Sequence, residues 1–398
     1  MILSRKGENI SASITLAITA KAKEMKMNGI DVIGFGAGEP DFNTPENIQK
    51  AAMDAMVKGF TKYTPASGMD ELKEAIIEKF SRDNNLIYTK SQIIVSTGAK
   101  QSLANLFLAI LNPGDEVLVP TPYWVSYPEL IKLSDGIPVM VDGSKDNSYK
   151  YTLENLNKAV STKTKAIIIN SPNNPTGSVY TRDELMELAE FSKKHDLIII
   201  SDEIYEKLIY GGEEHISIAS LNEDAFDRTV VINGMSKSYA MTGWRIGYAA
   251  GSEKIVKLMS NIQSHMTSNP NSIAQYASLE ALRGDQSTLY NMIEEFKKRR
   301  NYMVERINQI ETLSMIMPKG AFYVFIDISI LLGKKIDGHE IEGSLDFCDK
   351  LLNIGKVAAI PGIAFGLDNY IRLSYATSMD NIKNGLDRIE DFINKLQV

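Results

Sequence analysis

Polar and apolar positions follow two different periods along the chain, and the points where one gives way to the other mark its elements. Ile48, Ala51, Ala52, Ala55 and Met56 recur at helical spacing, with Thr44 and Pro45 before them as an N-cap and first-turn pair and Gly59 past the end. A second amphipathic helix is predicted over 70–80. From there short β-branched runs at 93–95, 116–119, 166–169, 197–200 and 229–232 alternate with helical stretches. Alternation of this kind predicts a mainly parallel sheet covered on both faces by helices. After Arg283 the texture changes, and a long charged helix through 297–306, a strand over 321–328 and a final helix near 380–396 read as a smaller α+β unit. The predicted fold class is α/β.

The 398 residues leave room for two or three domains, although no internal repeat, low-complexity tract or Pro/Gly-rich linker separates them. With 43 basic and 50 acidic residues the net charge is −7, which lacks the positive footprint of a nucleic-acid binder. A composition 44% hydrophobic and 23% charged belongs to an ordered globular protein. Cys348 is alone and cannot form an internal disulfide, and the four histidines make no cluster with zinc-ligand spacing. A reducing, cytoplasmic setting without a metal site is therefore expected. No run reaches the ~18 apolar residues of a membrane span. The stretch 10–20 imitates the core of a secretory signal, but Ser11, Ser13, Thr15 and Thr19 dilute it and Lys21 and Lys23 follow, so it reads as an amphipathic first helix.

In open sheets of this type the active site lies outside the carboxyl ends of the strands, and nearly every polar motif here falls at such a place. Thr97, Gly98, Ala99 and Lys100 follow the 93–95 run and open a helix, so their free N–H groups form either an anion site or simply a tight turn. Asp202 and Tyr205 follow the 197–200 run. A carboxylate there is either a strand-end helix cap or the partner of a protonated pyridine nitrogen. Ser236 and Lys237 follow the 229–232 run. A lysine in that position can form a Schiff base with a carbonyl cofactor if its surroundings depress its pKa, and otherwise is a solvated surface group. Arg245, eight positions on, can add a fixed charge to the same phosphate. Asn174 sits in a rigid turn built from Pro172, Pro175 and Gly177. Arg372, alone in an apolar strand, is either a strand-face ion pair or a fork for a substrate carboxylate.

Together these motifs resemble the class I aminotransferases of the fold-type I pyridoxal-phosphate enzymes, and most of all the bacterial-type aspartate aminotransferases. The resemblance runs almost end to end, through Ala37-Gly38-Glu39-Pro40-Asp41-Phe42, Tyr63-Thr64-Pro65, Pro122-Tyr123-Trp124-Val125-Ser126-Tyr127-Pro128, Asn174-Pro175-Thr176-Gly177, the Lys237 motif with Gly243-Trp244-Arg245, and Arg372. It implies pyridoxal 5'-phosphate held by Lys237, with Asp202 keeping the ring nitrogen protonated, Tyr205 and Asn174 on the phenolic oxygen, and Trp124 stacked on the ring. It assigns the phosphate to backbone groups of Gly98, Ala99 and Lys100 with Ser236 and Arg245, and has Tyr63 reaching the other subunit's phosphate. Ala99 stands where many members carry a hydroxyl, leaving that position its N–H alone.

The same resemblance gives the substrate α-carboxylate to Arg372, helped by the backbone near Gly38, and places Ser13 and Thr15 near the side-chain pocket. It implies a homodimer with shared active sites, an arm at 1–47, a large cofactor-binding domain at 48–284 and the rest of a mobile small domain at 285–398. The expected reaction is ping-pong transfer of an amino group from an L-amino acid, L-aspartate first among them, to 2-oxoglutarate. Aromatic amino acids, alanine and prephenate remain as alternatives, as does a C–S lyase or decarboxylase on the same fold. A catalytically silent regulator is disfavoured, because the large domain starts too early to leave room for a DNA-binding segment, and no Gly-x-Gly-x-x-Gly turn or P-loop points to a generic nucleotide-binding domain.

Overall fold

Strands dominated by Ile, Val, Leu and Ala pair into one seven-stranded sheet: β1 (Ile93–Ser96), β2 (Glu116–Thr121), β3 (Ile137–Asp142), β4 (Thr164–Asn170), β5 (Ile198–Asp202), β6 (Thr229–Gly234) and β7 (Gly247–Ala250). The computed structural model describes residues 3–143 and 145–397. The strand order is β1-β7-β6-β5-β4-β2-β3, and β7 alone runs antiparallel to its neighbours. Apart from the edge strand β3, their nearly continuous burial is what a sheet covered on both faces requires. Because β1, β2, β4, β5 and β6 are mutually parallel, the segments that follow Ser96, Thr121, Asn170, Asp202 and Gly234 all emerge at one edge of the sheet.

A second, four-stranded sheet is formed by β8 (Ser314–Met315), β9 (Tyr323–Asp327), β10 (Ile360–Pro361) and β11 (Tyr370–Ser374), in the order β10-β11-β9-β8. It is antiparallel throughout, and Arg372 on β11 lies opposite Phe325 on one side and Ile360 on the other. Long helices Ser287–Asn308 and Met379–Ile393 share a hydrophobic core with it, and near the N-terminus the helix Ile14–Met27, which follows a short helix at Arg5–Glu8, contributes only Ala22 to the buried core.

One predicted cap is absent from the structure, and one of the two alternatives left open for Asp202 is excluded. Thr44 does not cap the helix Glu46–Val57, whose N-cap is Pro45 without a side-chain hydrogen bond. The Thr44 hydroxyl is taken by long-range partners instead, donating to the Ala240 carbonyl at 2.8 Å and accepting from Trp244 Nε1 at 2.9 Å. Asp202 is likewise no helix cap, since a turn follows β5.

Candidate active site

The edge where the parallel strands end opens into a cavity of about 700 Å³. Beyond β1, Gly98 has φ +86° and starts the helix Ala99–Ile110, whose first-turn N–H groups receive no capping side chain. A Cβ on Gly98 would be strained by the left-handed backbone conformation and would lie 2.5 Å from Arg245 Nη2, displacing the guanidinium from its place. Arg245 is aimed over that helix start by its own left-handed backbone and by a 2.7 Å hydrogen bond from Nη1 to the Thr242 carbonyl. Free N–H groups, the positive helix end and a guanidinium in one place suit a dianion.

At the end of β5 the Asp202 carboxylate is fully enclosed. Tyr127 donates its hydroxyl to Oδ2 at 2.6 Å, and the Ile204 N–H reaches Oδ1 at 3.3 Å. Burial raises its pKa to about 6, against the lowering effect of those two hydrogen bonds. Asn170, opposite Asp202 in the sheet, donates to the Asp202 carbonyl and accepts from the Asn174 N–H, both at 3.0 Å. The turn holding Asn174 is thereby tied to the strand holding Asp202.

Lys237, half-buried beyond β6, donates its ammonium to the carbonyl of Gly38. Burial lowers its pKa to about 8; Glu39 opposes this, Arg372 and Arg245 reinforce it, and Asp202 opposes it more weakly. Arg372 is buried, with Nη1 donating to Asn174 Oδ1 at 3.0 Å and Nη2 to the Gly36 carbonyl at 3.1 Å. Its guanidinium lies 4.3 Å from the Tyr323 ring centroid and 5.0 Å from that of Phe365, and its Nε is buried without a partner. A fork fixed on three sides and incompletely paired is ready for a carboxylate. The carbonyl on Arg372 is thus that of Gly36, and the carbonyl on Lys237 that of Gly38.

Thr15, Gly38, Ala99, Trp124, Ser236 and Tyr205 also line the cavity. Tyr205 shares a 2.9 Å hydrogen bond with the Tyr323 hydroxyl, and its pKa is raised by burial and then by that neighbour. Lys100 extends its ammonium over the Trp124 ring, 5.0 Å from the centroid. No carboxylate among the described residues forms an ion pair with it, and burial followed by Arg245 lowers its pKa. Ser13 is outside the lining; its hydroxyl caps the helix Ile14–Met27 and meets Thr15 Oγ1 at 2.9 Å. Tyr63 is also outside and 90% exposed.

Sequence reasoning missed Tyr127, Asn170, Tyr323 and Glu39 as members of the site. Tyr127 and Glu39 stood in the quoted motifs, but nothing local told which partner each would find. Asn170 and Tyr323 act across strand pairings that no short spacing encodes.

The family model described as aminotransferase class I and II matches residues 30–389. An aspartate aminotransferase of Bacillus subtilis (strain 168) is 51% identical over 395 residues, covering 99% of this chain and 100% of the relative. An aspartate/prephenate aminotransferase of Nitrosomonas europaea is 45% identical over 396 residues, covering 99% of this chain and 100% of its own. The crystal structure of the aspartate aminotransferase from Rhizobium meliloti superposes with a TM-score of 0.96 at 42% identity, covering 100% of both chains.

Proposed function

Since the chain belongs to the class I and II aminotransferases, we propose that it uses pyridoxal 5'-phosphate to transfer the amino group of L-aspartate to 2-oxoglutarate in two half-reactions. The observation that carries this reading is the meeting of Lys237, Asp202 and Arg372 in one cavity beside the Gly98 and Arg245 anion site. Those residues fit the cofactor: an uncapped helix start and a guanidinium for its phosphate, a buried carboxylate for its ring nitrogen, and an amine of lowered pKa for its carbonyl. When bound, pyridoxal phosphate supplies that carbonyl and a ring that stabilises negative charge on the substrate Cα.

The roles follow from the environment of each side chain. Asp202, whose ionised form is penalised by burial, is relieved by a cationic partner and so would hold a proton on the ring nitrogen. Tyr205 and Asn174 would take the phenolic oxygen, Trp124 the ring face, and the backbone of Gly98, Ala99 and Lys100, with Ser236 and Arg245, the phosphate. Lys237, with a pKa of about 8, is roughly one-tenth neutral at pH 7 and can take a proton from the substrate Cα. Arg372 would grip the α-carboxylate, leaving the Lys100 ammonium over Trp124 as a cation for a second carboxylate, with the hydroxyls of Thr15 and Ser13 nearby; Lys23 and Lys26 are further cations on the lining. Prephenate is a second reading for the oxo acid, since it too carries a second carboxylate and several relatives bear its name.

The same proposal divides the chain at 48–284 and 285–398 and makes it a cytoplasmic homodimer. Exposed Tyr63, beside exposed Met53, Met56, Val57 and Phe60, would be the residue that reaches the neighbouring subunit. No described helix is long and apolar enough to cross a membrane.

Protein loaded with pyridoxal phosphate is expected to show a visible absorbance band that bleaches with L-aspartate and returns with 2-oxoglutarate. A band that answers only to aromatic amino acids or alanine would replace the donor, and prompt release of pyruvate and ammonia without an oxo acid would favour a lyase. The absence of any band would overturn the cofactor assignment. Specificity has its own test. Arg372→Ala should lower kcat/KM for every amino acid by roughly 10²-fold or more, the scale of breaking a buried charged hydrogen-bond pair. Lys100→Met should penalise only substrates with a second carboxylate; an equal loss for alanine would remove Lys100 from that role.

A further inference from the structure

The segment 36–44 crosses from the small sheet to the large one and is fastened at nearly every polar position. Gly36 gives its carbonyl to Arg372 and Gly38 gives its own to Lys237. Glu39 accepts the Thr242 hydroxyl at 2.6 Å, and Thr44 bonds Ala240 and Trp244. Its remaining anchor is Arg299 on the helix Ser287–Asn308, a side chain only 8% exposed.

Arg299 Nη1 donates to Asp41 Oδ1 at 2.7 Å and Nε to Glu295 Oε1 at 3.1 Å. The guanidinium stands 5.0 Å from the centroid of Phe42 and 5.8 Å from that of Phe296, and the two rings meet edge to face at 5.3 Å. Such a cation, placed against two aromatic rings and bonded through two of its nitrogens, fixes the direction of Asp41 far better than a flexible ammonium could. Asp41 in turn sets where the chain leaves Glu39, and so where the carbonyls of Gly36 and Gly38 point.

We propose that Arg299 is a positioning residue: by clamping Asp41 it holds the 36–44 strap whose carbonyls preset the Arg372 fork and park Lys237. This rests on the reading of Arg372 and Lys237 given above. The effect falls mainly on substrate binding, because Arg372 must be aimed before a carboxylate arrives, whereas Lys237 leaves Gly38 during turnover.

The test measures binding of maleate, a dicarboxylate with no amino group to transfer, to the cofactor-loaded protein by calorimetry. Arg299→Met should raise its Kd about tenfold, the scale of one charge-assisted hydrogen bond. KM for L-aspartate should rise with it while kcat falls less than threefold, and Arg299→Lys should recover part of the loss. Arg306→Met, on the same helix but bonded to Asp387 and Glu390, serves as the control for helix damage and should leave Kd unchanged. Asp41→Asn should reproduce the effect and add nothing to Arg299→Met, and it carries the test alone if the arginine variant does not fold. Additive effects, an unchanged Kd, or an equal loss in Arg306→Met would overturn the proposal. Failure of the wild-type protein to bind maleate would contradict the carboxylate reading of the cavity, and this inference with it; normal wild-type binding matched by Arg299→Met contradicts this inference alone.

Discussion

Lys237→Ala is expected to fold normally and to lose transamination by ~10⁴-fold or more, since it removes both the anchor for the cofactor carbonyl and the only proton carrier proposed for the substrate Cα. Folding should survive because the ammonium makes a single hydrogen bond, to Gly38, and otherwise lies 5.9 Å from the ring centroids of Tyr205 and Phe322. The companion Lys237→Arg separates charge from proton transfer. A guanidinium keeps the positive charge but cannot be deprotonated in this pH range, so it should be as inactive as alanine. Steady-state rates with L-aspartate and 2-oxoglutarate, alongside the visible spectrum, check both variants. Activity in Lys237→Arg near the wild-type level would mean that the lysine acts only as a charge, and retained full activity in Lys237→Ala would remove it from the mechanism.

What the sequence conveyed, and what it did not, follows from the range of the forces involved. Strand-end motifs were legible because their chemistry is local: a buried β-branched run followed by Asp202, or by Ser236 and Lys237, places a polar group at a sheet edge whatever the rest of the chain does. The mainly parallel sheet was legible for the same reason, but two of its strands were not. β7 reads Gly-Tyr-Ala-Ala, with little intrinsic strand preference. It is a strand because it lies between β1 and β6, and a Cβ on Gly247 would fall 2.1 Å from the Ala99 nitrogen. β3 carries Pro138 and partly exposed residues, which fits the sheet edge it occupies but weakens its signal. Thr44 shows the same limit at a single residue: its local environment favoured a cap, and two partners some 200 positions away took the hydroxyl instead.

Breaking the buried pair between Lys79 and Glu206 should cost more stability than any surface change, because both side chains are almost wholly enclosed. Lys79 lies on the helix Asp70–Asn84, also donates to Asn84 Oδ1 at 2.7 Å, and sits 4.7 Å from the Phe80 ring centroid. Glu206 follows Tyr205, so the pair ties this helix to the turn beyond β5. Burial alone would raise the Glu206 pKa, but Lys79 first, then His215 and Lys207, bring it down to about 2. A carboxylate whose folded pKa lies below its ordinary value near 4.3 stabilises the fold above about pH 5, and that contribution, about 3 kcal/mol, is lost as pH falls towards 2. Lys79→Met keeps the apolar stem over Phe80 and leaves Glu206 with Asn84 Nδ2, at 3.1 Å, as its remaining hydrogen-bond donor. The expected loss is about 3–5 kcal/mol, read from guanidinium unfolding at fixed protein concentration. With its main cation gone, Glu206 should protonate at higher pH, so the fall in stability between about pH 5 and 2 should flatten. Lys79→Met combined with Glu206→Met should recover most of the loss, because it removes the unpaired charge as well as its partner. A single variant that costs less than about 1 kcal/mol, or a double variant no better than the single, would show that the helix is held by its apolar face and not by this pair.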